Sequence, residues 1–126
     1  MVEYVYPSVF HANDDGTYTV MFPDLPGCIS EGKTLGNAMY MAQAALTQWL
    51  GYMAEQSEAI PPASDMQSIP LDAGEFASLI RVEIKDNRAV RRTVSIPKWM
   101  DEQVSKTGLS LSRVLQDALA ERLSAQ

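Results

Sequence analysis

The sequence predicts an α+β protein with two domains, residues 1–86 and 87–126, and two observations lead to this prediction. The first domain carries apolar patterns in the order strand, strand, strand, helix, strand, which is a βββαβ arrangement. The second has one short alternating segment followed by two short helical patterns. The chain has 126 residues, of which 46% are hydrophobic. This amount suits one modest core together with a small dimerisation module.

The N-terminal residues predict a β-hairpin. Residues 2–10 are rich in aromatic and β-branched types, and the sequence NDDG at 13–16 is typical of a turn before a second strand at 17–22. The run FPDLPGC at 22–28 has two prolines and a glycine, which disfavour helix and ladder alike. We expect a short third strand around Ile29 that ends at Gly32.

A long amphipathic helix follows, and Thr34 is its predicted N-cap. Its apolar positions recur at three- and four-residue intervals, and we expect them to cover one face of the sheet. These positions are Leu35, Ala38, Met39, Ala42, Ala45, Leu46, Trp49, Leu50 and Met53. The segment 58–70 is predicted to be a surface loop. The alternation in 76–84 predicts the last strand of this domain.

The C-terminal domain begins with a strand at 91–97. Arg91, Thr93 and Ser95 alternate with Arg92 and two apolar residues. A helix is predicted from Pro97 to about 107, before Gly108, and Ser110 is the predicted N-cap of a second helix. A lone strand and two short helices bury little apolar surface, so we expect a homodimer in which the two strands pair antiparallel. Such a two-stranded ribbon fits the DNA major groove.

The distribution of charge favours the same placement of DNA. Residues 1–86 carry three Lys/Arg and twelve Asp/Glu, a net charge of −9, whereas residues 87–126 carry seven and four, a net charge of +3. Only the C-terminal domain suits a polyanion. Arg88 and Arg92 flank the strand and add positive charge where DNA phosphates would lie, although alternation places Arg92 on the inward face.

Composition also limits the class of protein. No window approaches the roughly 20 consecutive apolar residues of a membrane span, and the N-terminus lacks the layout of a secretion signal, so we expect a cytoplasmic protein without membrane contact. Cys28 is the only cysteine, which excludes an intrachain disulfide, and we interpret it as a small packed residue. No motif indicates a cofactor.

The span from RRTVSIP through Gly108 to LSLSRVLQDAL resembles the ribbon-helix-helix repressors of the Arc and MetJ type. The resemblance implies that Arg91, Thr93 and Ser95 contact bases. It also implies that the backbone amides of Leu111 and Ser112 hold a DNA phosphate, which agrees with the preference of helix N-termini for anions.

Tyr4, the run NDDGTYTVMFPDLPGCISEGKT at 13–34 and the alanine-rich helix resemble the HicB antitoxins of bacterial toxin–antitoxin systems. The resemblance implies a partial ribonuclease H fold that binds and neutralises a HicA-type mRNA interferase toxin, and a C-terminal domain that represses its own operon at operator DNA. Whether two dimers join into a tetramer stays open. One departure is the sequence Leu35–Gly36–Asn37, where the family usually has acidic residues and an alanine, and it weakens the start of the helix.

Two alternatives remain. A nuclease needs converging carboxylates, for which Asp14, Asp15, Asp24 and Glu31 are available. We interpret the first two as turn residues and Asp24 as a carboxylate that bonds local amides, so we expect no enzymatic activity and no metal site. The stronger rival is a stand-alone ribbon-helix-helix repressor whose first domain binds a small effector or only assembles dimers.

Overall fold

A computed structural model describes residues 1–125. The chain divides into two compact units, Met1–Arg88 and Ala89–Gln126. The predicted mixed α+β architecture and the βββαβ order of the first unit are confirmed. The elements of the first unit are β1 (Val2–Ala12), β2 (Tyr18–Met21), β3 (Ile29–Gly32), α1 (Leu35–Glu55), a 3₁₀ turn (Met66–Ser68) and β4 (Glu75–Ile84); those of the second are α2 (Lys98–Thr107) and α3 (Leu111–Ser124).

The four strands form one sheet in the order β3-β2-β1-β4, and all neighbouring strands are antiparallel. The central strand β1 pairs with β4 from Val2↔Ile84 to His11↔Glu75. The predicted hairpin between β1 and β2 is confirmed. Its turn is closed by the Asp15 carboxylate, which accepts hydrogen bonds from the Thr17 amide at 3.0 Å and hydroxyl at 2.6 Å. These bonds lower the pKa of Asp15.

Helix α1 packs on one face of the sheet, as predicted. The core consists of side chains from α1, the strands and the loop after β2: Tyr6, Phe10, Val20, Phe22, Leu25, Cys28, Ala38, Ala42, Leu46, Leu50, Ile80, Val82 and Ile84. Leu35 and Met39 were expected to face the sheet, but they are 44% and 45% exposed. The apolar stripe is wider than the surface that a four-stranded sheet presents to it.

The start of α1 is well capped. The Thr34 hydroxyl accepts from the Asn37 amide at 3.1 Å, and the Asn37 side-chain oxygen accepts in turn from the Lys33 amide at 3.0 Å. This reciprocal pair resembles a capping box, with asparagine in place of the usual Glu or Gln. The weakness expected at Gly36 is therefore offset by a cap that the sequence reading did not assign to Asn37.

Hydrogen bonds to Asp24 connect the long segment between α1 and β4 with the loop after β2. Its carboxylate accepts from the Ser64 amide at 2.9 Å and from the Ser64 hydroxyl. The Tyr6 hydroxyl donates to the Pro61 carbonyl in the same segment. The expectation that Asp24 bonds local amides was wrong, because its partner lies 40 residues away in sequence.

The helices of the second unit begin and end close to their predicted positions. Pro97 is the N-cap of α2 and lies just outside the helix that was expected to start there. Gly108 ends α2 with φ of 71°, a left-handed conformation that favours glycine. Residues 89–97 have neither helix nor strand in this single chain, so the predicted strand has no ladder here. Within residues 1–125, no helix combines the length and apolarity needed to cross a membrane.

Candidate partner and nucleic-acid interfaces

The second unit lacks a buried core. Among its described residues only Val104 is half-buried, and all the others are exposed. Its exposed large apolar side chains include Val94 at 65%, Ile96 at 40%, Leu115 at 43% and Leu119 at 49%. A folded domain needs buried apolar surface to offset its conformational entropy. The described part of the unit therefore presents an apolar surface to solvent.

Part of this surface is a groove of about 600 Å³ between residues 92–96 and α3. Val94 and Ile96 line it, as the predicted alternation requires, together with Val114 and Leu115 of α3. Arg92, Thr93, Leu111 and Ser112 also line it, so four of the predicted DNA-binding residues share one groove. Thr93 was expected on the opposite face. Within residues 1–125, no backbone–backbone hydrogen bond fixes this segment in the pleat that would turn Thr93 outward.

The other predicted DNA-binding residues lie outside this groove. Arg91 and Ser95 are exposed. Arg88 is held by its neighbour Asp86, because its terminal nitrogen lies 2.7 Å from one carboxylate oxygen and Nε lies 3.0 Å from the other. The Arg88 guanidinium lowers the pKa of Asp86 to about 2. A phosphate would therefore have to share Arg88 with Asp86.

At the start of α3, two backbone amides have no acceptor within residues 1–125. The Ser110 hydroxyl accepts from the Arg113 amide at 3.3 Å, and the Ser110 carbonyl accepts from the Val114 amide at 3.0 Å. The amides of Leu111 and Ser112 belong to the first turn of α3, before Arg113, and they have no acceptor among residues 1–125. They are the donors that an anion at a helix N-terminus uses.

The first unit contains a cleft that the sequence reading missed. Loop 22–28 and the second half of α1 enclose about 530 Å³. Trp49 packs against the core, as predicted, but it is only half-buried, and Tyr52 is 61% exposed. Gly27 lies against the Trp49 ring in this cleft. Gly27 has φ of 97°, and a Cβ built there would stand 3.1 Å from the indole.

Cys28 lies in the wall of this cleft and is 2% exposed. Burial raises the pKa of its thiol to about 11. The interpretation of Cys28 as a packed residue is therefore confirmed, and at neutral pH it is a neutral thiol.

The candidate carboxylates do not converge. Asp14 and Glu31 are exposed, Asp15 is committed to the hairpin turn, and Asp24 is committed to Ser64. Across residues 1–125, no group of three or more His, Cys, Asp or Glu side chains is arranged to hold a metal ion.

Comparison with protein families gives one match over most of the chain. The family described as "HicB_like antitoxin of bacterial toxin-antitoxin system" matches residues 6–120. The chain is similar to Antitoxin HicB of Escherichia coli K12, with 33% identity over 97 residues that cover 69% of this chain and 70% of that protein. It is also similar to a 14.9 kDa protein of Haemophilus phage HP1, with 36% identity over 63 residues, and there the match spans only 47% of the relative's length.

Solved structures include chains that are similar over nearly the whole chain. A toxin–antitoxin complex from Streptococcus pneumoniae superposes with a TM-score of 0.60 at 26% identity, covering 96% of this chain and 99% of that one. The antitoxin HicB of Burkholderia pseudomallei superposes with a TM-score of 0.58 at 27% identity, covering 98% of this chain and 99% of that one.

Proposed function

The chain belongs to the HicB-like antitoxin family, and from this membership we propose that it neutralises a HicA-type ribonuclease toxin and represses its own operon. The first unit binds the toxin. The second unit pairs with that of another copy and binds operator DNA. Its antitoxin relatives support a regulatory role without enzymatic activity.

The observation that carries the DNA-binding half of the proposal is the missing core of the second unit. Val94, Ile96 and Leu115 are exposed in the single chain, and a second copy of the same unit would bury them. No backbone–backbone hydrogen bond within residues 1–125 involves residues 89–96, so this segment is free to form a ladder with its twin.

Pairing would give the segment the alternation of a strand. Arg91, Thr93 and Ser95 then stand on the outer face of the ribbon and contact base edges in the major groove. The free amides of Leu111 and Ser112 hold a backbone phosphate at the start of α3. Arg88 and Arg92 lie at the start of each strand and contact flanking phosphates.

Charge supports the toxin-binding half. The unit Met1–Arg88 contains four Lys/Arg and twelve Asp/Glu, a net charge of −8. Arg81 is one of these four cations, and it is neutralised by Glu3 and Glu83, each at 2.6 Å. An acidic surface attracts a protein that must bind RNA phosphate, and it chiefly speeds association and selects the partner. The similar Streptococcus pneumoniae protein was solved in a toxin–antitoxin complex.

The proposal is tested by co-expressing the chain with the small basic protein encoded by the adjacent reading frame. We expect the two proteins to purify as one complex in which the basic protein no longer cleaves RNA. We also expect this complex to retard DNA from their own promoter. A chain that retards the promoter DNA but captures no basic protein would instead support the stand-alone repressor. A chain that does neither would refute both readings.

A further inference from the structure

The cleft in the first unit has the size and lining of a binding site. Its volume of about 530 Å³ falls within the range of pockets that bind small ligands. Leu25 and Cys28 form buried parts of its wall, while Trp49 and Tyr52 contribute aromatic rings. The site lies entirely within Met1–Arg88.

The aromatic part of the wall is held in place by the fold. Trp49 and Tyr52 are three residues apart on α1 and so lie on the same side of the helix. The missing side chain of Gly27 lets the backbone of loop 22–28 lie against the Trp49 ring, where a Cβ would be 3.1 Å away. The loop is tied down in turn by the bonds between Asp24 and Ser64.

All charged side chains that line the cleft are negative. Asp24 and Glu58 are its carboxylates, and among residues 1–125 no Lys, Arg or His lines the cleft. Asp24 is fixed in position by Ser64, whereas Glu58 is exposed. Two carboxylates beside two aromatic rings repel an anion and attract a cation, because ring faces and carboxylates both present negative potential.

We propose that this cleft binds an arginine side chain of the toxin, with the guanidinium over the Trp49 or Tyr52 ring and paired with Glu58. Arginine fits better than lysine, because its planar guanidinium stacks on aromatic rings and is less strongly hydrated. A basic protein is the expected source of this cation, since the unit around the cleft carries a net charge of −8. The inference rests on the proposed toxin-binding function and names a contact within it.

The experiment uses the full chain with Trp99→Phe, which leaves Trp49 as the sole tryptophan. Trp49 fluorescence is followed as the basic protein from the adjacent reading frame is added. Two cleft variants, Glu58→Gln and Tyr52→Ser, are compared with matched variants outside the cleft, Glu55→Gln and Tyr40→Ser. All four positions are exposed, and far-ultraviolet circular dichroism confirms that each variant is folded.

We expect each cleft variant to weaken binding by about tenfold, and each matched variant by less than about threefold. Arginine→Ala and lysine→Ala variants of the basic protein then identify the inserted residue. One arginine variant should weaken binding to the unsubstituted chain, but cause little additional loss with Glu58→Gln, because the pair is already broken.

The outcomes separate the two proposals. Absence of binding by the unsubstituted chain would overturn the proposed function and this inference with it. If the unsubstituted chain binds tightly and the cleft and matched variants lose equal affinity, the proposed arginine site is overturned, but the proposed function is not. The same holds if the effect of Glu58→Gln depends on a lysine of the basic protein instead of an arginine. A small molecule that co-purifies with the unsubstituted chain and is lost from both cleft variants would also overturn the proposed arginine site.

Discussion

Gly32 lies where the sheet and α1 approach each other closely. A Cβ at this position would stand 2.3 Å from the backbone nitrogen and Cα of Ala38. Both contacts are backbone atoms, so no side-chain rotation can relieve them. Gly32, near the end of the 13–34 motif, is therefore required because β3 and α1 pack closely there.

We predict that Gly32→Ala lowers the free energy of unfolding by about 2 kcal/mol or more, because β3 and α1 must move apart. Urea denaturation followed by circular dichroism measures this loss. The matched change is Gly36→Ala, which meets no atom within 4 Å and should raise stability by about 0.5 kcal/mol. Equal stability of the two variants would contradict the proposed contact.

Cys28 should resist alkylation in the folded protein. Burial raises the pKa of its thiol to about 11, so the thiolate that reacts is scarce at pH 8. We predict that iodoacetamide modifies native Cys28 on the order of 100-fold more slowly than the urea-unfolded chain. Mass spectrometry of timed samples measures both rates. Similar rates would show that the thiol is accessible.

The roles of some residues could be predicted from local patterns, whereas contacts between residues far apart in the sequence could not be predicted. Thr34 and Ser110 were recognised as caps because capping depends on residues within one turn. The partner of Asp24 is Ser64, and nothing in the neighbourhood of either residue indicates the other. The Asn37 bond to Lys33 was missed because capping boxes usually contain Glu or Gln.

At the scale of elements, the proposed ribbon makes Arg91 the most informative position. We predict that Arg91→Ala weakens operator binding by about 1–3 kcal/mol and leaves toxin neutralisation intact, because a bidentate guanine contact is lost. Fluorescence anisotropy at fixed salt measures the affinity.

The control for Arg91→Ala is Arg122→Ala, which removes the same charge in the last turn of α3. It should change operator affinity much less, since that turn is not part of the proposed contact surface. Equal losses in both variants would indicate that Arg91 contributes only general charge.

The elements of the first unit were largely predictable because each has a periodic apolar face and local end signals. Alternation identified Ile80, Val82 and Ile84 as the buried side of β4, and all three are buried. The cleft was not predictable, because it depends on loop 22–28 meeting residues of α1 that are distant from it in sequence. The strand at 91–97 stays a prediction, since its ladder requires a second chain.

The division of the whole molecule into two units allows its two proposed activities to be separated. We predict that a chain ending at Arg88 is soluble and binds the toxin, because all members of the α1–sheet core lie before this residue. It should not retard operator DNA, and sedimentation should show that the ribbon-linked dimer is lost. The same oligomer as that of the full chain would place dimerisation in the first unit.

The most direct test of the account is amide hydrogen exchange of residues 91–96 in the full-length protein. Pairing of two copies would place alternate amides of this segment in ladder hydrogen bonds and slow their exchange. We predict strong protection at micromolar concentration that is lost when Leu115→Ser disrupts the shared core. Exchange of all six amides at the rate of an unstructured peptide would contradict the ribbon, and with it the proposed repression of the operon.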